Sequence, residues 1–137
     1  MTKKRVYEVE LTNILRNHFT RLGFQVFEEV PLLERRIDLV ALKDMLIAVE
    51  VKAKKWKSII KQIHFLPLFA DKSYAAFSTS LLKHVKINYF KEYGIGVIVV
   101  DPKTQTVDII VESRQSTKIQ KSLRDIVNRQ LLFIENL

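Results

Sequence analysis

Apolar residues recur at helical spacing from Val6 to Leu22, where Leu11, Ile14, Leu15, Phe19 and Leu22 share one face and Gly23 fits a left-handed stop. The period then changes. Phe24, Val26 and Val30 point to a strand over Phe24–Val30 that Pro31 should break. Arg36–Leu42 and Leu46–Lys52 read as two further strands joined by a short turn around Lys43–Asp44. Ile59, Ile60 and Ile63 predict a helix from Trp56 to about Leu66, ended or kinked by Pro67. Lys72–Ser78 is a short apolar strand, Leu81–Tyr93 a helix with Gly94 at its C′ position, and Ile95–Val100 a buried strand. Asp101-Pro102-Lys103-Thr104 is turn chemistry before a last strand over Thr106–Glu112. Ser116 or Thr117 is the candidate cap of a final amphipathic helix, about 117–136, carrying Leu123, Ile126, Val127, Leu131 and Ile134. The predicted order is α-β-β-β-α-β-α-β-β-α, an α/β domain.

Composition narrows this picture. The chain has 137 residues without repeat, linker or composition break, so residues 1–137 are expected to form one domain. There are no cysteines, which excludes disulfides, thiolate metal sites and a Cys nucleophile. Lys plus Arg is 23 against 15 Asp plus Glu, a net charge of +8, and a small basic protein favours polyanions. The longest apolar runs fall well short of the roughly 20 residues a membrane span needs. The N-terminus lacks the apolar stretch of a signal peptide. An intracellular, cytoplasmic protein with nucleic acid as its partner, and no membrane, is the expectation.

The candidate chemistry lies in Arg36-Ile37-Asp38-Leu39-Val40 and Ala48-Val49-Glu50-Val51-Lys52. Acids inside apolar strands are costly unless something pairs with them. Side chains alternate along a strand, so Glu50 and Lys52 share one face and Val49 and Val51 the other. Whether Asp38 joins them depends on the turn. A three-residue loop, Lys43-Asp44-Met45, sets Leu42 against Leu46 and Asp38 against Glu50; a two-residue loop puts Asp38 opposite Val49 instead. In the first register two carboxylates stand side by side with an ammonium one step along. Two such carboxylates cannot both stay ionised cheaply without a cation. Mg²⁺ suits an all-oxygen site of one or two carboxylates and keeps waters that a phosphate can displace. Lys52 is then placed to orient the attacking water and to offset charge on a phosphate.

These residues and the order of elements resemble the PD-(D/E)XK nuclease superfamily, the restriction-endonuclease-like fold. The likeness runs from the first helix to about Val111, with the core over about residues 5–112. Glu50-Val51-Lys52 is similar to the signature Glu-x-Lys, and Asp38 to its upstream metal-binding Asp; Ile37 stands where the family's name has Pro. The resemblance implies a central mixed β-sheet flanked by helices and Mg²⁺-dependent hydrolysis of phosphodiester bonds in DNA, endonucleolytic, with Mn²⁺ able to substitute. It further implies that Asp38, Glu50 and the backbone carbonyl of Val51 hold the metal and that Lys52 positions water. An acid of the first helix assists or binds a second ion. Helical angle favours Glu8 over Glu10, because Glu8 lies nearer the apolar stripe. Gln62, ten residues beyond Lys52, matches a Gln that many members carry on the following helix. Size, charge and core plan are also similar to the small archaeal Holliday-junction resolvases, although Val30-Pro31-Leu32-Leu33-Glu34 replaces the Gly/Ser-rich stretch expected between the first two strands.

Plainer readings accompany each feature. Asp38, Glu50 and Lys52 alone would be a hairpin with a cross-strand ion pair, worth under about 1 kcal/mol. Lys54, Lys55, Lys57 and Lys61 continue from Lys52 as a run without acids, either a solvated face or a phosphate-binding track. Trp56 reads as packing under the helix rather than as a stacking platform. His18, His64 and His84 show no partner spacing. Lys118, Lys121, Arg124 and Arg129 are candidates to touch phosphate, beside a stripe that reads as core or dimer seam. A homodimer matches the two-fold symmetry of duplex DNA, and a protein partner is another source of specificity. The alternative to a nuclease is a non-catalytic nucleic-acid-binding module, or a partner-dependent subunit, on the same fold.

Overall fold

The computed structural model describes residues 3–137, with side chains from Tyr7 onward. A mixed sheet of six strands in the order β1-β2-β3-β4-β5-β6 divides the molecule into two apolar layers. Helix α1 (Lys3–Arg21) covers one face, its Leu11, Ile14, Leu15 and Phe19 packing on Leu39, Val49, Val51, Tyr74, Ile98 and Val100. The chain leaves α1 through Gly23 at φ 91°, and Phe24 N–H donates to the Phe19 carbonyl at 3.0 Å, closing the helix as its glycine predicts.

β1 (Gln25–Leu32), β2 (Arg35–Leu42) and β3 (Leu46–Lys52) form an antiparallel meander. β1 does not end at Val30. It runs through Pro31, because β1 lies at the sheet edge, where a missing N–H costs no ladder bond. The strand bends instead at Glu29, whose φ is 52°. Inward positions are Phe27 before this residue and Val30 and Leu32 after it, so the alternation slips by one.

β4 (Lys72–Ser78) and β5 (Gly96–Asp101) continue the sheet in parallel, and β6 (Thr106–Val111) closes it antiparallel. The interiors of central strands β3 to β5 are apolar apart from Glu50 and Ser73, because both faces are covered.

The crossovers are less regular than their periodicity predicts. The segment expected as one helix over Trp56–Leu66 is a 3₁₀ turn (Trp56–Ile59), the single α-turn α2 (Ile60–Ile63) and a second 3₁₀ turn (Leu66–Leu68) containing Pro67. Fully buried Ile59, Ile63 and Leu66 hold it to the core regardless. The helix expected over Leu81–Tyr93 is two helices, α3 (Thr79–Leu82) and α4 (Ile87–Glu92). Between them His84 N–H and Val85 N–H bond three residues back to Leu81 and Leu82, which tightens the turn and buries Val85.

Neither Ser116 nor Thr117 caps the last helix, α5 (Lys121–Glu135), which starts after an extended Gln120. Ser116 Oγ instead donates to the Pro67 carbonyl at 2.6 Å. Val127 and Leu131 of α5 enter the larger core with Trp56, Phe69, Phe77 and Phe90, on the face opposite α1. Trp56 is the packing residue it was read as, edge-on to Phe90 with ring centroids 6.0 Å apart. Among the described residues no helix is long and apolar enough to cross a membrane.

Candidate functional site

The β2–β3 turn is the three-residue one. Lys43 N–H donates to the Met45 carbonyl at 3.1 Å, and Leu42 pairs with Leu46. The ladder runs from there to Leu39↔Val49 and stops, although β2 extends back to Arg35 and β3 forward to Lys52. The same register puts Asp38 opposite Glu50 at the point where the two strands part. Asp38 Oδ2 accepts the Val51 N–H at 2.8 Å, so a carboxylate takes the donor that the main chain of β2 would have taken.

Glu50 lies on the inner face of β3 with 1% of its surface exposed. Burial, then the neighbouring Asp38 charge and a hydrogen bond with the Asp38 side chain, push its carboxyl up to about 10, against a smaller downward pull from Lys52. Without a cation, the pair therefore holds one proton at neutral pH. A divalent cation is the natural replacement for that proton.

The fork opens on both faces of the sheet. On the α1 side a cavity of about 210 Å³ is lined by Glu8, Thr12, Glu28, Glu29, Asp38 and Val51. Glu8 Oε1 is buried there without a hydrogen-bond partner. Glu10, the other first-helix acid, lines a separate cavity with Tyr7, Lys54 and Ser80. Arg16 pairs with Glu28 at the rim. On the α2 side a second cleft, about 350 Å³, is lined by Arg35, Arg36, Asp38, Glu50, Gln62 and Phe65. Asp38 borders both openings.

The structure thus gathers Asp38, Glu50, the Val51 backbone and Glu8, with Lys52 half-buried on the Glu50 face and Gln62 at the second mouth. The Val51 group in evidence is its N–H, which Asp38 occupies. Among the described residues no three His, Cys, Asp or Glu converge closely enough to hold a metal by themselves. What exists is the Asp38–Glu50 carboxylate pair, with the orphaned Glu8 oxygen across the α1-side cavity from Asp38 alone, and a hard ion that keeps most of its waters needs one or two carboxylates. That donor set fits Mg²⁺.

The lysine run does not share one face. Lys55 takes φ 52° and redirects the chain; Lys54 Nζ lies 6.0 Å from the Tyr7 ring centroid on the α1 side, while Lys57 and Lys61 are exposed on the α2 segment. Arg124 is not open to phosphate, because both its amino groups bond the Asp71 carboxylate and one also bonds the Phe69 carbonyl. Lys121 pairs with Asp125. His64 Nε2 lies 2.6 Å from Tyr89 Oη, a surface contact.

Sequence reasoning missed Glu28, Glu29, Arg35 and Arg36. The flanking pairs Glu28↔Leu39 and Val30↔Ile37 set Glu29 opposite Asp38. Ending β1 at Pro31 hid that register. The available signal was the pair of acids five and four residues before Leu33, the first residue of the Leu33–Glu34 turn that joins Leu32 to Arg35.

No protein-family model and no curated protein sequence matches the chain. Solved structures do. It is similar to a protein of unknown function from Silicibacter pomeroyi, with a TM-score of 0.75 at 16% identity over 94% of this chain and 86% of that one. It is also similar to an XisH family protein from Nostoc punctiforme, with a TM-score of 0.54 at 13% identity over 72% of this chain and 96% of that one. An fdxN element excision controlling factor protein from Anabaena variabilis gives 0.47 at 18% identity over 74% and 98%. At these identities the first two likenesses establish the fold.

Proposed function

We propose that this chain is a metal-dependent nuclease of the PD-(D/E)XK kind, hydrolysing phosphodiester bonds in DNA as an endonuclease. The observation that carries the reading is the fork itself: Asp38 faces a fully buried Glu50 where two strands part, with Lys52 one step along. An ion pair made only for stability would sit on the surface and pair acid with base. Here acid meets acid, at a cost in stability that a structural role does not repay.

Asp38 and Glu50 are the groups that would hold Mg²⁺, with Glu8 across the cavity. The ion would supply Lewis-acid stabilisation of charge on the phosphate. The chain's own residues do the remainder. Asp38 is fixed by the Val51 N–H, so its second oxygen keeps one direction. Lys52 holds the attacking water and neutralises charge that develops on the phosphate. As the water oxygen bonds to phosphorus, the ester P–O bond breaks; one water proton goes to solvent and the leaving oxygen gains another. Gln62 lies at the mouth where the strand would enter.

The test is incubation with labelled linear duplex, single strand, flap and four-way junction DNA in Mg²⁺, Mn²⁺ or EDTA, with Lys52→Ala beside wild type. Metal-dependent cutting that vanishes in Lys52→Ala is the expected outcome, and the preferred substrate names the activity. Binding to DNA without cutting in any metal would replace this reading with the non-catalytic module or partner-dependent subunit.

A further inference from the structure

We infer that Glu29 is a positioning residue whose left-handed backbone, rather than its carboxylate, opens the fork and holds Asp38 between the two openings. This rests on reading Asp38 and Glu50 as the reaction centre. It gives a role to a strand that the signature residues do not reach.

β1 and β2 turn over together. On β1, Phe27 and Val30 both enter the larger core although three residues apart, and on β2 so do their ladder partners Val40 and Ile37. Side chains of an unbroken strand alternate, so residues three apart should face opposite sides. Leu39, between Val40 and Asp38, keeps to the α1-side core. The reversal therefore falls at Glu29 and Asp38, the one pair missing from an otherwise continuous β1–β2 ladder. Alternation counted from Val40 assigns Asp38 to the α2 side; counted from Ile37, it assigns Asp38 to the α1 side. The carboxylate takes neither side exclusively. It reaches across to β3, accepts the Val51 N–H at 2.8 Å and borders both openings. The β2–β3 ladder ends at Leu39↔Val49, one step short of the reversal.

The cause lies in β1. Glu29 has φ 52°, whereas Asp38 is not among the positive-φ residues. Among the described residues, the other non-glycine positions with positive φ, Leu33, Lys55 and Gln105, all lie outside strands. Glu29 stands within a strand and its side chain is exposed, so neither a turn nor burial of that side chain calls for this backbone. A left-handed backbone costs free energy wherever a Cβ is present, and such residues gather at functional sites. What this one produces is the placement of Asp38.

The experiment separates backbone from carboxylate at position 29 of the full chain. Glycine adopts positive φ freely, whereas a β-branched residue resists it. Glu29→Gly, Glu29→Val and Glu29→Thr are compared with wild type by two readouts. The Val51 amide proton shift, in EDTA, reports the bond to Asp38; Mn²⁺ binding, by paramagnetic resonance, reports the site. Val26→Ala, on the same strand and packed on the smaller core, is the control for lost stability alone. Glu29→Gly is expected to match wild type in both readouts. Glu29→Val and Glu29→Thr should move the Val51 amide upfield as its charge-assisted bond is lost. They should also weaken Mn²⁺ binding at least about tenfold, the usual effect of disturbing what orients a ligand. Val26→Ala should lower the urea midpoint and leave the other readouts in place. Should Glu29→Val not fold, Glu29→Thr applies the same constraint with a polar side chain. Wild-type behaviour in the β-branched variants overturns the inference, as does an equal loss in Glu29→Gly, which would assign the effect to the carboxylate, or in Val26→Ala. If wild type binds no Mn²⁺ while the Val51 amide still responds as expected, the metal reading falls and the positioning role stands.

Discussion

At the residue scale the molecule spends stability to hold Glu50 where it is. In the folded chain this carboxyl keeps its proton up to about pH 10, whereas its ordinary value is 4.5. A raised folded value means the side chain's contribution is complete below about pH 4.5 and is lost progressively as pH rises toward 10. Glu50→Gln removes that titration while keeping size and a donor toward Asp38. In EDTA, urea denaturation should therefore show the variant more stable than wild type at pH 8. The margin should be on the order of 3 kcal/mol near pH 7 and vanish toward pH 4. A margin that does not change with pH would mean Glu50 is not held protonated.

The pairing of Asp38 with Glu50 was legible in the sequence as one of two registers, and the three-residue turn of the structure selects it. The partners on the neighbouring strand were not. Glu29 adopts a left-handed backbone that no local rule assigns to glutamate, and it shifts the inward positions by one residue from there on.

Among elements, the strands were legible and the crossover helices were not. β3 and β4 begin and end where their apolar runs do, since a strand buried on both faces needs only an unbroken hydrophobic segment. The helical segments broke wherever a single buried side chain outweighed local hydrogen bonding, as Val85 does between α3 and α4. Gly96 marks another tertiary constraint. A Cβ there would lie 2.3 Å from Tyr74 Cδ1 and 2.8 Å from the Ser113 backbone nitrogen. Tyr74 cannot swing away freely, since its hydroxyl donates to Glu112 at 3.0 Å and its ring is buried under α1. Gly96→Ala is expected to cost about 3 kcal/mol in chemical denaturation, by overpacking. Gly94→Ala, strained by a φ of 75° and by a Cβ that would lie 3.3 Å from the Cδ of the flexible Arg114 side chain, should cost about 1–2 kcal/mol. Equal costs at the two positions would show that β5 and Tyr74 relax apart.

For the whole molecule, the fork opens on both faces of one sheet. The helix on one face brings Glu8 to the fork, and the crossover on the other brings Gln62. Net charge of +8 was visible in composition and pointed to a polyanion; the two openings at the fork were visible only in the fold. The fold itself is shared with proteins only 16% and 13% identical, so it is specified by patterning more than by particular residues.

What sets this chain's chemistry is whether the fork takes a cation. Mn²⁺ binding, followed by loss of the free ion's paramagnetic resonance signal, reads that directly in wild type and Asp38→Asn. An asparagine there can still accept the Val51 N–H, so the strands stay joined. Wild type should bind Mn²⁺, and Asp38→Asn should weaken binding at least about tenfold, as even changes outside the ligand shell commonly do. Equal binding by the two proteins, or none by wild type, would contradict a metal site at the fork.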